Sequence, residues 1–184
     1  MSAKTINELM AYEGNLREIY YSAWNYFLPP EFYFDKRTRR PPKSNINALI
    51  SFGNSLTYSI CLSEIYRTQL SPVISFLHEP SERRFSLSLD LAEIFKPILV
   101  DRSIFYLVNK RLINKSSFSD EAGIYMLNES GKRIFLEEFE RRLNQTVNLP
   151  SGKKVSVQKA IRLEAYKLIK HFLGIKEYQP FVMS

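Results

Sequence analysis

Asp90 and Glu93 stand three residues apart in the segment SLSLDLAEIF, surrounded by Leu87, Leu89, Leu91, Ile94 and Phe95. On a helix that spacing puts both carboxylates on one face, about 5 to 6 Å apart. Two carboxylates in apolar surroundings repel each other and are costly to desolvate unless a cation joins them. The cation can be a divalent metal or a basic side chain, and Arg83, Arg84 and Lys96 are close enough in sequence to serve. Pairing to a basic side chain is the commoner arrangement on helices. His78 lies in the loop before the same segment. A neutral imidazole beside carboxylate oxygens suits manganese or magnesium, and it suits equally a helix cap or a surface hydrogen bond. Earlier in the chain Glu13 precedes Gly14, where the lack of a side chain would let a phosphate backbone or another helix approach closely. Spacing alone does not separate Glu13 from Glu18. His171, the second histidine, falls in a lysine-rich helical stretch and reads as an ordinary surface or packing residue.

Charge adds a second theme. The 184 residues carry a formal charge of +7, and an excess of this size favours an anionic partner, whether nucleic acid or an acidic membrane surface. Lys36, Arg37, Arg39, Arg40 and Lys43 cluster in PPEFYFDKRTRRPPKS, next to Phe32, Tyr33 and Phe34, and Arg83 and Arg84 adjoin His78. Such a cluster can hold phosphates while the rings stack on bases, and it can also be a solvated linker. Cys61 is the sole cysteine, so no internal disulfide and no cysteine-based zinc site can form, as suits a reducing cytoplasm. The chain has no GxxxxGK[ST] loop, GxGxxG, HExxH, GxSxG or EF-hand loop. Nucleotide hydrolysis, zinc proteolysis and serine-esterase chemistry are therefore unsupported. The first residues do not read as a signal peptide, and no apolar run approaches the roughly 18 to 20 residues of a membrane span.

The elements that must position these groups are helical. From Ile6 to Phe27 apolar residues recur every three or four positions, and Pro29 and Pro30 end that helix. The proline-bracketed basic segment then reads as an exposed loop. Ser44 is placed to cap a second helix that fades near Leu70 and contains Gly53. After the loop SPVISFLHEPSERR, a third helical stretch runs from Ser86 to Leu112, kinked or split at Pro97. Lys132 to Leu143 and Val157 to Leu173 make two more helices, the latter closed by Gly174 in the left-handed cap position. The pattern predicts an all-α chain, a single domain over 1–184 with five or more helices. At most one very short strand is expected, near 124–127.

Taken with their neighbours, these residues carry a resemblance. AYEGNLREIYYSAW, NALISFGNSLTY, FLHEPSERRFSLSLDLAEIFKPILVDR and IRLEAYKLIKHFLG with its trailing YQPF resemble the CRISPR-associated integrase family of the spacer-acquisition complex, the larger of the two universal adaptation proteins. The resemblance covers residues 5 to 181 or so. It implies metal ligands at Glu13, His78 and Glu93, with Asp90 assisting and Mn2+ or Mg2+ as the ion. Arg17, Tyr20, Asn47, Arg84 and Ser86 match positions lining the same cleft, and Arg83, Arg37, Arg39, Arg40 and Lys43 join them as DNA-binding candidates. The implied activity is an endonuclease and integrase that captures spacer DNA and inserts it into a CRISPR array by transesterification. The implied partners are spacer-precursor and repeat DNA, a small universal Cas protein and, in the full-length protein, a second copy. The setting is prokaryotic cytoplasm, with no membrane. Family members carry a β-rich N-terminal domain that is absent here, so the chain reads as the helical catalytic domain, weakly active by itself. Asn54 stands where the family more often has tyrosine, and Gln69, Ser71 and Ser75 replace the usual Gly, Asp and Gly. The alternative from another class is a helical DNA-binding module without chemistry. Divalent-metal binding that is lost on Glu93→Ala separates the two.

Overall fold

A computed structural model of the chain describes residues 5–74, 85–149 and 152–182. Six α-helices dominate it: α1 Ile6–Ser22, α2 Asn45–Ile65, α3 Ser86–Lys96, α4 Arg102–Asn109, α5 Glu129–Leu143 and α6 Val157–Phe172. The expected helical class is thus borne out. The strand at Ile124–Leu127 is present too, but it is not alone. It forms β2 and pairs antiparallel with β1, Phe118–Glu121, while β3, Thr146–Asn148, pairs with β4, Lys154–Ser156. The polar composition of β1 and the three-residue length of β3 and β4 give no alternation to read. What makes the first hairpin is its turn, where Ala122 and Gly123 both take positive φ (53° and 76°), the geometry of a type I′ connection.

Two compact units make up the chain, Met1–Phe52 with Ile104–Leu136 and Gly53–Ser103 with Glu137–Ser184. In the first, Tyr21, Trp24, Phe32, Phe34, Leu49, Ile104 and Phe135 are buried. Trp24 meets Phe105 at 4.8 Å between ring centroids, and Phe32 meets Phe118 at 6.1 Å, which pins β1 to the segment after α1. Ser44 caps α2 as expected, its Oγ accepting from Asn47 N at 3.4 Å. The apolar positions of α1 form no buried stripe. Leu16 and Ile19 are each 67% exposed, and Ile6, Leu9, Met10 and Tyr20 are exposed as well. Periodicity fixes which face a helix shows, and burial needs a surface to cover that face.

In the second unit Cys61, Ile65, Leu87, Phe95, Leu99, Ile161 and Ala165 form the core. Glu64 is fully buried, and its carboxylate accepts from Arg162 Nε at 2.6 Å and Gln158 Nε2 at 2.9 Å, tying α2 to α6. Pro97 interrupts the third helical stretch where the sequence placed the break. A π-helical segment, Pro97–Asp101, carries the chain from α3 into α4. Proline cannot donate the i→i−4 bond, and one wide turn accommodates the loss without ending the helical path. Gly174, at φ 67°, donates to His171 O while Ile175 N reaches Lys170 O, which is the left-handed closure predicted for α6. No helix among the described residues is long and apolar enough to cross a membrane.

Candidate functional site

α3 carries both carboxylates, Asp90 and Glu93. Leu87, Leu89, Leu91, Ala92 and Phe95 are buried along it, and this packing holds Asp90 and Glu93 half-buried between them. Glu93 has a basic partner within its own helix, since Lys96 Nζ donates to Glu93 Oε1. The Lys96 side chain is only 7% exposed against 21% for Glu93. Its ammonium lies 4.7 Å from the centroid of the Tyr58 ring, an aromatic face that stabilises a desolvated cation. Lys96, one of the three basic candidates near these acids in sequence, therefore pairs with Glu93. Ser86, at the start of the helix, is fully buried and donates to Val73 O at 2.9 Å, so its hydroxyl serves the fold of this segment.

On α1, Glu13 Oε1 accepts from Arg17 Nη2 at 2.6 Å, one helical turn on, with side chains 35% and 27% exposed. The sequence did not separate Glu13 from Glu18, and this bond gives Glu13 a defined cationic neighbour. A Cβ at Gly14 would meet nothing within 4 Å, so the close approach expected there is not made by the described residues. Tyr20 remains exposed, its ring edge-on to Trp24 at 5.8 Å between centroids.

The basic segment departs from its expectation as an exposed loop. Phe32 and Phe34 are 1% exposed and belong to the core, which leaves Tyr33 as the ring open to solvent. Arg37 is half-buried, donating to Asn47 Oδ1 at 2.9 Å and Ser51 Oγ at 3.0 Å. Asn47, expected to line a DNA cleft, is 3% exposed, and its amide donates to Lys36 O and Ser44 Oγ while Thr38 N donates to its Oδ1. An asparagine whose donors and acceptor are filled by its own chain is a structural hub. Lys36, Arg39, Arg40 and Lys43 stay exposed. Lys43 also borders a cavity of about 380 Å³ lined by Glu31, Ser44, Asn45, Lys115, Phe118, Asp120 and Tyr125. There the Tyr125 hydroxyl bonds to Asp120, and that bond raises its pKa. Nothing in the spacing of these residues announces that cavity, since they come from four separate segments.

His78, Arg83 and Arg84 lie outside the described residues. Among the described residues no group of three or more His, Cys, Asp or Glu is placed to hold a metal ion. What the described residues supply is three half-exposed carboxylates, at Glu13, Asp90 and Glu93, with Arg17 beside Glu13 and Lys96 beside Glu93. Oxygen donors of this kind suit hard divalent cations, and an added imidazole suits manganese. Cys61 offers no alternative, because it is buried and burial pushes its thiol pKa up.

The family model described as CRISPR associated protein Cas1 matches residues 1–141. The chain belongs to the Cas1 family. Similar curated proteins include the "CRISPR-associated protein Cas1 1" of Methanobrevibacter ruminantium, 53% identical over 97% of this chain and 56% of its own length. The "CRISPR-associated endonuclease Cas1" of Clostridium perfringens is 53% identical over 97% of this chain and 55% of its own. The chain thus spans about half the length of the curated relatives it matches. Among solved structures, a Cas1 protein from Thermotoga maritima superposes with a TM-score of 0.87 at 48% identity, covering 94% of this chain and 54% of its own. A casposase bound to its integration product gives a TM-score of 0.87 at 26% identity, covering 96% of this chain and 53% of that one. The helical Cas1 architecture is therefore shared with a casposase bound to its integration product.

Proposed function

We propose that the chain is the catalytic portion of a divalent-metal-dependent DNA endonuclease and integrase, which captures spacer DNA and inserts it into a CRISPR array. The observation that carries this reading is 53% identity over 97% of the chain to a protein named as a Cas1 endonuclease. The casposase bound to an integration product adds support for strand transfer by the same fold. In the proposed site Glu13, His78 and Glu93 hold Mn2+ or Mg2+, with Asp90 assisting. The ion, when bound, supplies Lewis-acid stabilisation of charge at the reacting phosphate. The chain's own residues do the rest. The apolar packing of α3 orients Glu93 and Asp90 and excludes water from their inner side. Arg17 and Lys96 balance the carboxylates until the ion arrives. Exposed Arg39, Arg40 and Lys43 hold phosphates through charge. Transesterification forms one phosphorus–oxygen bond to the incoming 3′-hydroxyl as one in the repeat breaks, so it requires placement of groups and no energy source. A small partner Cas protein and a second copy would hold two such sites at a fixed separation, in the cytoplasm of a prokaryote.

The test is a Mn2+ titration of the 184-residue chain, followed by cleavage of branched DNA. Binding with micromolar to millimolar affinity that is lost in Glu93→Ala and His78→Ala, together with metal-dependent nicking, is the expected result. DNA binding without metal binding would turn the reading toward a non-catalytic helical DNA-binding module.

A further inference from the structure

Residues 173–182, after α6, form neither helix nor strand, yet they are tied down at several points. Gly174 turns the chain back, and Tyr178 N then donates to His171 Nδ1 at 3.3 Å. Lys167 Nζ donates to Gln179 O at 3.1 Å. The strongest tie is to Glu164, whose carboxylate sits in the middle of α6 at 1% exposure. Its Oε1 accepts from the Tyr178 hydroxyl at 2.8 Å and from Phe181 N at 2.9 Å, and its Oε2 faces Lys167 Nζ at 2.8 Å. A carboxylate buried in a helix is costly unless its oxygens are filled, and here the tail supplies two of the three donors. Burial and the bond to Glu164 raise the pKa of Tyr178, which keeps its hydroxyl a donor. Pro180 has no amide to give, so the next backbone donor is that of Phe181.

Phe181 is 7% exposed and stacks on Phe95, with ring centroids 5.6 Å apart and planes 16° from parallel. Phe95 lies between Glu93 and Lys96 on α3. We propose that this C-terminal strap positions the turn of α3 that carries Glu93, with Glu164, Tyr178 and Phe181 acting as positioning residues for that carboxylate. The inference rests on the reading of Glu93 as a metal ligand. Glu164 clamps the strap to α6, the strap presents the Phe181 ring, and the ring sets where Phe95 and its neighbours lie. A reacting or ligating group displaced by about 1 Å can lose on the order of 100-fold in rate.

The experiment compares the 184-residue chain with Tyr178→Phe, Phe181→Ala and Phe181→Tyr. Amide hydrogen exchange of α3 and α5 is followed without metal, and Mn2+ affinity is followed by the paramagnetic resonance of the free ion. Tyr178→Phe and Phe181→Ala should speed exchange at Leu91 to Lys96 by roughly 10-fold while leaving α5 unchanged, as expected of a local opening. They should also weaken Mn2+ by about 10-fold, the usual size of an outer-shell effect. Phe181→Tyr, which keeps the ring, should restore both. Unchanged α3 exchange in Phe181→Ala, or α5 loosening as much as α3, overturns the proposal. Glu93→Ala keeps the two readings apart. If it binds Mn2+ like the parent chain, the ligand assignment fails, and metal-free exchange at α3 still decides the strap.

Discussion

Replacing Lys96 by methionine probes how the acid on α3 is held. The two side chains have similar length, so packing against Tyr58 is largely kept while the positive charge goes. Lys96 is 7% exposed and Glu93 21%. Removing one partner of a buried pair typically costs about 3–5 kcal/mol. Glu93 keeps some water, which favours the lower end, near 3 kcal/mol. For a chain of this size each kcal/mol moves the melting temperature by about 2–4 °C, so a fall of about 6–12 °C is expected. Mn2+ should then act differently on the two proteins. At 100 times its Kd a ligand adds about 2.7 kcal/mol, and in the parent chain part of that is spent displacing Lys96 from Glu93. Scanning calorimetry with and without Mn2+ should show the larger rise in Lys96→Met. The double change Glu93→Leu with Lys96→Met should recover most of the lost stability, because apolar replacement of a buried pair is often neutral. A single variant as stable as the parent, or a larger Mn2+ effect on the parent, would refute the argument.

Four further outcomes follow from particular positions. Gly131→Ala should lower stability by about 1–3 kcal/mol in urea denaturation, because its Cβ would lie 2.4 Å from Ser117 O. Gly14→Ala, on an equally helical glycine with nothing within 4 Å, should raise it by about 1 kcal/mol. Asn47→Ala should cost about 1–3 kcal/mol, since its loss leaves Arg37, Thr38 N and Lys36 O without a shared partner. Changing Arg39 and Arg40 to glutamine should reduce the slope of log affinity against log salt on duplex DNA by about 1.8, measured by fluorescence anisotropy. An unchanged slope would make that stretch a solvated linker.

Helix content, the break at Pro97, the cap at Ser44 and the closure at Gly174 were all legible in the residues, because each depends on chemistry within a few positions. Missing amides, short polar caps and positive φ act locally, so type and spacing suffice. The same holds for placing Asp90 and Glu93 on one face. Family membership was legible as well, through strings such as FLHEPSERRFSLSLDLAEIFKP. Tertiary structure decided the rest. Spacing allowed Lys96 to pair with Glu93, and packing beside the Tyr58 ring is what buries that ammonium. Arg37 and Asn47 were separate DNA-binding candidates, and that they bond to each other across ten residues was not legible, since only folding brings their donors and acceptors together. Nothing in the spacing around Glu164 announces that the chain end returns to fill its carboxylate. The exposed stripe of α1 shows the limit from the other side. Sequence periodicity names an apolar face, and whether water or protein covers it depends on what the rest of the fold, or a partner, brings near.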